Sequence, residues 1–459
     1  MTHKKCSPGT VRICSLFAIA LTLTVPASAE WKEKVLYSFQ GAPDGAVPAG
    51  GVVFDKAGNL YGATDGGGSS SCDGPGQCGT VYQLTPPTQK GGAWTETVLY
   101  IFKGHAQNDG ATPEGGLLID EAGNLYGTTG YGGSGPCTLL GGAVGCGTVY
   151  ELSPPAKQGD PWTETVLYSF QGGKDGYVAS GDLVFDKAGS LYGATLFGGG
   201  KGTTCDSLYG GQCGTVFKLS PPKAKGGKWT EKVLHAFASG TDGANPNGGL
   251  VLDSKSNIYG TSFGGGNEGG ECGSGGCGTA FELKPPTQKG SAWPEKVIYR
   301  FGVQDGATPE AGFVFGGNGH LYGTAFAGGI SGNGAVFDLA PPKGGRGPWN
   351  ETMLHRFSGG NDGENPIAGV TLDLNGNVYG VTGYGNVFSG TVFRLKPPAF
   401  RGGAWTLGIV YGFRNSPDGA HPASRLIFGN NGKIYGTTQG GGTGTSCSGY
   451  CGTVFEVWP

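Results

Sequence analysis

The chain has little from which to build a helix. Its 459 residues include 97 glycines and 28 prolines, and inside a helix each Gly costs about 1 kcal/mol and each Pro about 3. Long helices are therefore excluded. Gly and Pro without pattern would indicate disorder, but here they punctuate short apolar runs, which points to many strands and turns. A basic excess is also missing. The formal net charge is −3, and without residues 1–29 it is −6, 28 basic residues against 34 acidic. Nucleic acid is not the expected partner of such a chain. After Val25 no apolar run is long enough to span a membrane. There is no G-x-S-x-G elbow with triad partners, and the Gly66-Gly67-Gly68 run precedes no helix that would hold a phosphate. No loop has the D-x-D-x-D spacing of a dedicated calcium site.

What is present begins with a secretory signal. Lys4, Lys5 and Arg12 form a basic region, Ile13 to Val25 is largely apolar, and Ala27-Ser28-Ala29 reads as a cleavage site. Cys14 lies inside the apolar run, so a lipid-modified N-terminus is not expected. The protein is then secreted or periplasmic, with residues 30–459 as one domain. The ten cysteines beyond the signal fall in close pairs: Cys72/Cys78, Cys137/Cys146, Cys205/Cys213, Cys272/Cys277 and Cys447/Cys451. Two repeats have no cysteine, so both partners are present or both absent. That correlation predicts five local disulfides in an oxidising compartment. Zinc fits less well, since no His accompanies the pairs and their spacing varies.

A repeat organises everything after the signal. Trp31, Trp94, Trp162, Trp229, Trp293, Trp349 and Trp405 mark seven register points, 56 to 68 residues apart. After each comes a strand such as Val35–Phe39 or Val166–Phe170, then an Asp-Gly turn (Asp44, Asp109, Asp175, Asp242, Asp305, Asp362, Asp418). A second strand (Val52–Asp55, Leu117–Asp120) ends in a hairpin turn. The third is of the Leu60-Tyr61-Gly62 type, where a Gly fixed within a strand suggests a bulge or a close backbone approach. A Gly-rich loop carrying the cysteines leads to the fourth strand, Gly79–Leu84 and its copies, which six times stops at Pro-Pro. Four strands per repeat without helix is the signature of a β-propeller, here all-β with seven four-stranded blades. The chain starts on a post-Trp strand and ends on Gly452–Val457. Val35–Phe39 should therefore complete the last blade and close the ring, leaving no large unpaired edge. An open solenoid is the alternative.

Antiparallel order puts the Asp-Gly and cysteine loops on one face, and the hairpins and Pro-Pro links on the other. Binding residues concentrate on loops held by a rigid scaffold, so the first face is the one to examine. An aromatic recurs there in five repeats, Tyr131, Phe197, Phe263, Phe326 and Tyr384, as a candidate ring for stacking sugars or apolar ligands. Packing between blades is the plainer role for these side chains. The seven Asp-Gly carboxylates could hold structural calcium, although turn chemistry explains them better. No cofactor is otherwise implied. His235 and His355 replace a strand Tyr and suit packing, His320 sits in a hairpin, and His105 and His421 lack a partner motif. Lys90, Lys157, Lys223, Lys225, Lys228, Lys289, Lys343, Arg346 and Arg401 form a basic rim on the opposite face, suited to solvation or to an anionic surface.

The unit G-L-V-x-D-x-x-G-N-L-Y-G-T-T, G-T-V-F-x-L-x-P-P, W-T-E-x-V-L-Y-S-F resembles the bacterial tandem repeats called GloVer, of the choice-of-anchor class. The motif Asn59-Leu60-Tyr61-Gly62 and Gly79-Thr80-Val81-Tyr82, with their later copies, carry the resemblance. It implies an exported, propeller-like protein of uncharacterised molecular function, often tethered by a C-terminal sorting signal, and supplies no catalytic residues. This sequence ends at Trp458-Pro459, directly after a strand, so a free protein is expected. The expected function is a monomeric binding module for glycan or a protein partner at the loop-rich face, not an enzyme. Its rivals are a propeller lyase or hydrolase acting on polysaccharide or lactone, using His105, His421 and the Asp-Gly loops, and a structural envelope component.

Overall fold

A computed structural model describes residues 30–69, 72, 78–138, 142, 144–157, 159–199, 213–224, 226–267, 269–288, 290–345, 347–385, 387–400, 402–447 and 449–459. The expected signal peptide, Cys205, Lys225, Lys289, Arg346 and Arg401 lie outside the described residues. Residues 31–458 form one unit of seven antiparallel sheets, a seven-bladed β-propeller. Blade one, from inner to outer strand, is Gly45–Pro48 with Val53–Phe54, then Leu60–Gly67, Thr80–Thr85 and Thr95–Ile101. Blade two runs from Gly110–Pro113 to Thr163–Ser169, and blade three from Tyr177–Phe185 to Thr230–Ala236. Blades four, five and six have their outer strands at Glu295–Arg300, Asn350–Arg356 and Thr406–Gly412. Blade seven takes Lys32–Ser38 as its outer strand, antiparallel to Thr453–Trp458, with Val35 opposite Phe455 and Ser38 opposite Thr453. The ring closes as the strand phase requires.

Adjacent blades are joined by aromatic contacts that repeat around the ring. The Phe ending each outer strand meets an aromatic on the third strand of the next blade. Phe39–Tyr82, Phe102–Tyr150, Phe170–Phe217, Phe237–Phe281, Phe301–Phe337, Phe357–Phe393 and Phe413–Phe455 have centroids 4.9–5.2 Å apart. Edge-on pairs of this kind add about 0.5–1.5 kcal/mol each beyond the area they bury. The Gly inside the second strand exists for this ring. A Cβ on Gly62 would lie 2.3 Å from Tyr82 Oη, and one on Gly193 2.6 Å from Phe217 Cζ. Toward the opposite face the repeated Trp packs on the Tyr of the preceding blade, as in Tyr61–Trp162 at 6.0 Å and Tyr259–Trp349 at 5.9 Å.

The inner strand differs from expectation. It begins before Val52, at Gly45–Pro48, whose Gly45 pairs with Gly67 and Pro48 with Thr64. Blades two and seven repeat this early piece, blade three makes the strand continuous, and blades four to six keep one bridge of it. Its third residue is left-handed in every blade: Val47, Thr112, Val178, Asn245, Thr308, Asn365 and His421, with φ of 51–57°. For the β-branched four this is a sparsely populated conformation, costing on the order of 1–3 kcal/mol. The turn aims each N–H at the preceding blade. These seven N–H groups donate to the carbonyls of Cys451, Cys78, Cys146, Cys213, Cys277, Asn333 and Ser389 at 2.6–3.1 Å. A buried backbone donor without a partner is costly, so the blade-to-blade bond offsets the strain that aims it.

Cys72–Cys78, Cys137–Cys146, Cys272–Cys277 and Cys447–Cys451 are disulfides, and Cys213 is disulfide-bonded. The second Cys of each pair is buried and is the one whose carbonyl accepts the blade-to-blade bond. Among the described residues no helix is long and apolar enough to cross a membrane.

Candidate functional site

The Asp-Gly carboxylates prove to be turn fasteners. Asp109 accepts Tyr100 Oη–H at 2.8 Å and the N–H groups of Lys103 and Gly110 at 2.9 and 2.6 Å. Asp44 and Asp418 repeat the pattern with Tyr37 and Tyr411. Asp175 holds Tyr168 and Asp305 holds Tyr299. Where His replaces Tyr, His235 and His355 stand 3.3 and 3.2 Å from Asp242 and Asp362. Each carboxylate thus serves its own outer strand, in a different blade from the next. Among the described residues no three His, Cys, Asp or Glu side chains are placed to hold a metal ion.

The five loop aromatics do not form one ring. Tyr131, Phe197 and Tyr384 lie opposite Ala111, Tyr177 and Glu364. In blades four and five that register is held by Gly264 and Ala327, opposite Ala244 and Ala307. Phe263 and Phe326 therefore sit one residue earlier, in the register of Asp65. Successive strand side chains point to opposite faces, so the set divides. Tyr131 and Phe197 are half-buried against the core between blades two and three, and Phe197 stacks on Tyr177 at 5.3 Å. Phe326 is half-buried, Phe263 is 39% exposed and Tyr384 44%.

Tyr384 belongs to a cluster that sequence reasoning did not assemble. Its ring lies 4.7 Å from His421, which stacks on Tyr450 at 6.3 Å. Tyr450 is 57% exposed. His421 owes its place to the left-handed turn, and its Nδ1–H donates to the Gly383 carbonyl at 3.1 Å. A neutral imidazole held this way offers Nε2 as an acceptor. His105 Nδ1 likewise bonds the Gly133 carbonyl at 2.6 Å. Among the described residues neither His has a carboxylate within hydrogen-bond reach to orient it, so the acid–base use considered for them finds no support in the geometry. His320, on the opposite face, pairs with Asp338 at 2.8 Å. The described members of the basic rim, Lys90, Lys157, Lys223, Lys228 and Lys343, are exposed.

A second feature lies on the propeller axis. The residues just before each inner strand's apolar run converge there from all seven blades, around a cavity of about 170 Å³. Glycines let the backbones meet: a Cβ on Gly115 would lie 2.4 Å from Gly181 O, and one on Gly312 2.0 Å from Gly249 O. Asp182 and Arg425 stand where the other blades have Gly. Asp182 accepts the Gly116 N–H at 2.8 Å, and Arg425 Nη2 donates to the Gly312 and Phe313 carbonyls at 3.4 and 3.3 Å. Glu114 and Glu310 line the same cavity with Ser180 and Asn247. Burial pushes Glu114 up to about 8, helped by the charge of Asp65. Burial alone brings Glu310 to about 7 and Asp65 to about 6. None of these axial residues was a sequence candidate. The available signal was Asp182 and Arg425 breaking the Gly of the other five repeats.

Residues 270–459 match the model of the Gloeobacter/Verrucomicrobia repeat, the family that the repeat unit resembles. No curated protein matches the chain. Among solved structures, a glucose dehydrogenase is 15% identical, with 93% of this chain and 99% of that one covered and a TM-score of 0.43. A gluconolactonase from Xanthomonas campestris is 14% identical, with 68% and 78% covered and a TM-score of 0.36. A luciferin-regenerating enzyme is 13% identical, with 78% and 95% covered and a TM-score of 0.43.

Proposed function

We propose that the protein is an exported binding module that recognises glycan through the loop-rich face at blades six and seven. The observation that carries this reading is the Tyr384–His421–Tyr450 cluster, two exposed phenols flanking an imidazole. Aromatic faces stack on the apolar faces of sugar rings, while phenol and imidazole edges supply hydrogen bonds. The signal-like N-terminus and the disulfides support export. Pull-down of the oxidised protein on a polysaccharide panel, with supernatants analysed for products, tests the reading. Retention that falls at least tenfold in Tyr384→Ala and Tyr450→Ala supports it. Retention indifferent to both substitutions overturns it.

One observation favours a hydrolytic or lytic second reading. Glu114 holds its proton near neutrality beside Asp65, as a general acid does. Released oligosaccharides, lost in Glu114→Gln, would put the enzyme ahead of the binding module.

A further inference from the structure

The cluster at blades six and seven has one member that the fold does not require. We infer that His421 regulates this site: its unprotonated Nε2 accepts a hydrogen bond from a hydroxyl of the glycan, so that acid releases the ligand. The inference rests on the reading of this cluster as the glycan site. Three observations lead to it.

The ring tolerates several residues at this position and needs no imidazole. Asn245, Asn365 and His421 are the left-handed residues of blades four, six and seven. Each reaches back to the same carbonyl of the preceding blade. Asn245 Nδ2–H donates to Leu196 at 2.9 Å, Asn365 Nδ2–H to Phe326 at 2.9 Å and His421 Nδ1–H to Gly383 at 3.1 Å. Thr112 and Thr308 bond within their own blades instead, to Ala111 and Ala307, and Val47 and Val178 offer no side-chain donor. The ring therefore closes with or without this bond, and asparagine makes it as well as histidine does. What the imidazole adds lies on its other edge.

That edge carries an acceptor. With Nδ1–H held by Gly383, the neutral ring has its lone pair on Nε2. Among the described residues Nε2 has no protein hydrogen-bond partner, and neither has the Tyr384 or the Tyr450 hydroxyl. The Tyr384 ring is 4.7 Å from the imidazole at 54°, and the Tyr450 ring 6.3 Å at 18°. Backbone holds both phenols in place. Tyr384 exchanges two hydrogen bonds with Glu364, at 2.8 and 3.2 Å, and the Tyr450 N–H donates to Cys447 O at 3.0 Å inside the Cys447–Cys451 disulfide loop. The acceptor thus stands between two rings of the kind that stack on the apolar faces of sugars.

A proton would convert that edge. Imidazole is the side chain that gains its charge between pH 8 and pH 5. It then has N–H on both nitrogens, so Nε2 no longer accepts, and a sugar laid across the ring strips water from a cation. The segments that touch His421 bring two titratable groups, Tyr384 and Tyr450, while Ser389 and Gly440 bring none. Glu364 is paired with Tyr384 on the inner strand of blade six, and Arg414 and Asp418 lie on the loop that leads to His421. Asp418 is held by Tyr411 Oη–H and by the N–H groups of Arg414 and Gly419. His421→Asn separates the imidazole from all of these, since it keeps the bond to Gly383 and removes the titration.

Retention of the full oxidised protein on cellulose, starch and chitin, measured at pH 7.5 and pH 5, tests the inference, with Tyr384→Ala, Tyr450→Ala and His421→Asn alongside. Retention should fall about tenfold from pH 7.5 to pH 5, as binding that excludes one imidazole proton requires. His421→Asn should keep the unaltered melting temperature and bind about fivefold more weakly at pH 7.5, the share of one hydrogen bond. Its retention should no longer respond to pH. Retention that depends on the tyrosines but is level or stronger at pH 5 overturns the inference and leaves the glycan site standing, as does a pH response that survives in His421→Asn. Retention indifferent to both tyrosines, or absent from all three polysaccharides, removes the site itself and the inference with it. If His421→Asn does not fold, the direction of the pH response in the unaltered protein decides.

Discussion

Blades two and six are built on one plan and finished differently. Both have a pair of threonine hydroxyls 2.9 Å apart at the loop end, Thr129–Thr148 and Thr382–Thr391. Both have a left-handed residue on the inner strand, Thr112 and Asn365, and a Gly beneath the next strand's aromatic ring, Gly127 and Gly380. Yet blade two has the Cys137–Cys146 disulfide, and blade six has Ser389, whose Oγ accepts Asn415 Nδ2–H at 2.6 Å. Glu164 on blade two's outer strand becomes Leu407, and axial Glu114 becomes Ile367. Tyr131 is half-buried, while Tyr384 in the same register is exposed. The shared features all join blade to blade or strand to strand. The differing ones face a loop, the axis or solvent, except Glu164 and Leu407, which lie on the outer strand, Glu164 with a buried oxygen and Leu407 against the core. Ring geometry is therefore fixed by backbone and packing, which leaves loop and axial side chains free to vary.

If that division holds, the disulfide locks a loop and the backbone bond holds the blades. The carbonyls of Cys146 and Ser389 accept their N–H bonds, from Val178 and His421, at 3.0 and 2.7 Å alike. Replacing Cys137 and Cys146 together by Ala should cost about 2.5 kcal/mol, the loop-closure value for a short loop. Ser389→Ala should cost less than about 1 kcal/mol, one largely exposed hydrogen bond. Denaturant unfolding of both variants gives the ranking. Equal costs would mean that Ser389 does the work of a disulfide and that the two blades are not alternatives.

The left-handed residues offer a smaller and more symmetrical test. Asn tolerates this conformation better than Thr, and Asn365 adds a bond from Nδ2 to the Phe326 carbonyl at 2.9 Å, as Asn245 does to Leu196. Thr112→Asn should stabilise by about 1 kcal/mol and Asn365→Thr destabilise by about as much. Thermal unfolding midpoints moving in opposite directions confirm the strain. No change in either would show that the ring does not pay for these turns.

Much of this was legible in the sequence, and the limits have physical causes. Strand count and ring closure follow from periods that survive in every repeat, and the pairing of cysteines from their joint presence in five repeats and joint absence from two. Gly62 announced a bulge or a close backbone approach, and what comes close is the side chain of Tyr82. The early half of the inner strand was hidden, since Val47-Pro48 and Thr112-Pro113 read as extended dipeptides while the chain turns left-handed there. The aromatic ring failed by one residue. Phe263 and Tyr131 occupy neighbouring positions in loops of similar composition, and a single step changes the face. The axial glutamates were invisible for another reason: the turns Pro113-Glu114-Gly115 and Pro309-Glu310-Ala311 look like ordinary solvated loops until seven of them converge.

The smallest effect expected from the comparison concerns Glu164 and Leu407. Glu33, Glu96, Glu164, Glu231, Glu295 and Glu351 repeat around the ring, each with one buried oxygen lacking a partner. Burial, with the charge of an Asp-Gly carboxylate on the preceding blade, pushes them up to about 7 or 8. At Leu407 the series breaks, and the corresponding Asp362 lies below its ordinary range. Burial alone would raise it, but hydrogen bonds from Ser358 and His355 outweigh that. In the folded protein the six glutamates keep protons that the unfolded chain has released above its pKa of about 4.3. Stability therefore falls as pH rises from about 5 toward 8 and levels off above. Each group is also partly reached by water, which screens its share. Glu164→Leu should make the pH dependence shallower by that one share, and Leu407→Glu should steepen it. Unfolding midpoints at pH 5, 6.5 and 8 measure the slope. A slope unmoved by either substitution would mean that the glutamates ionise freely in the folded ring, and the contrast between blades two and six would then carry no electrostatic content.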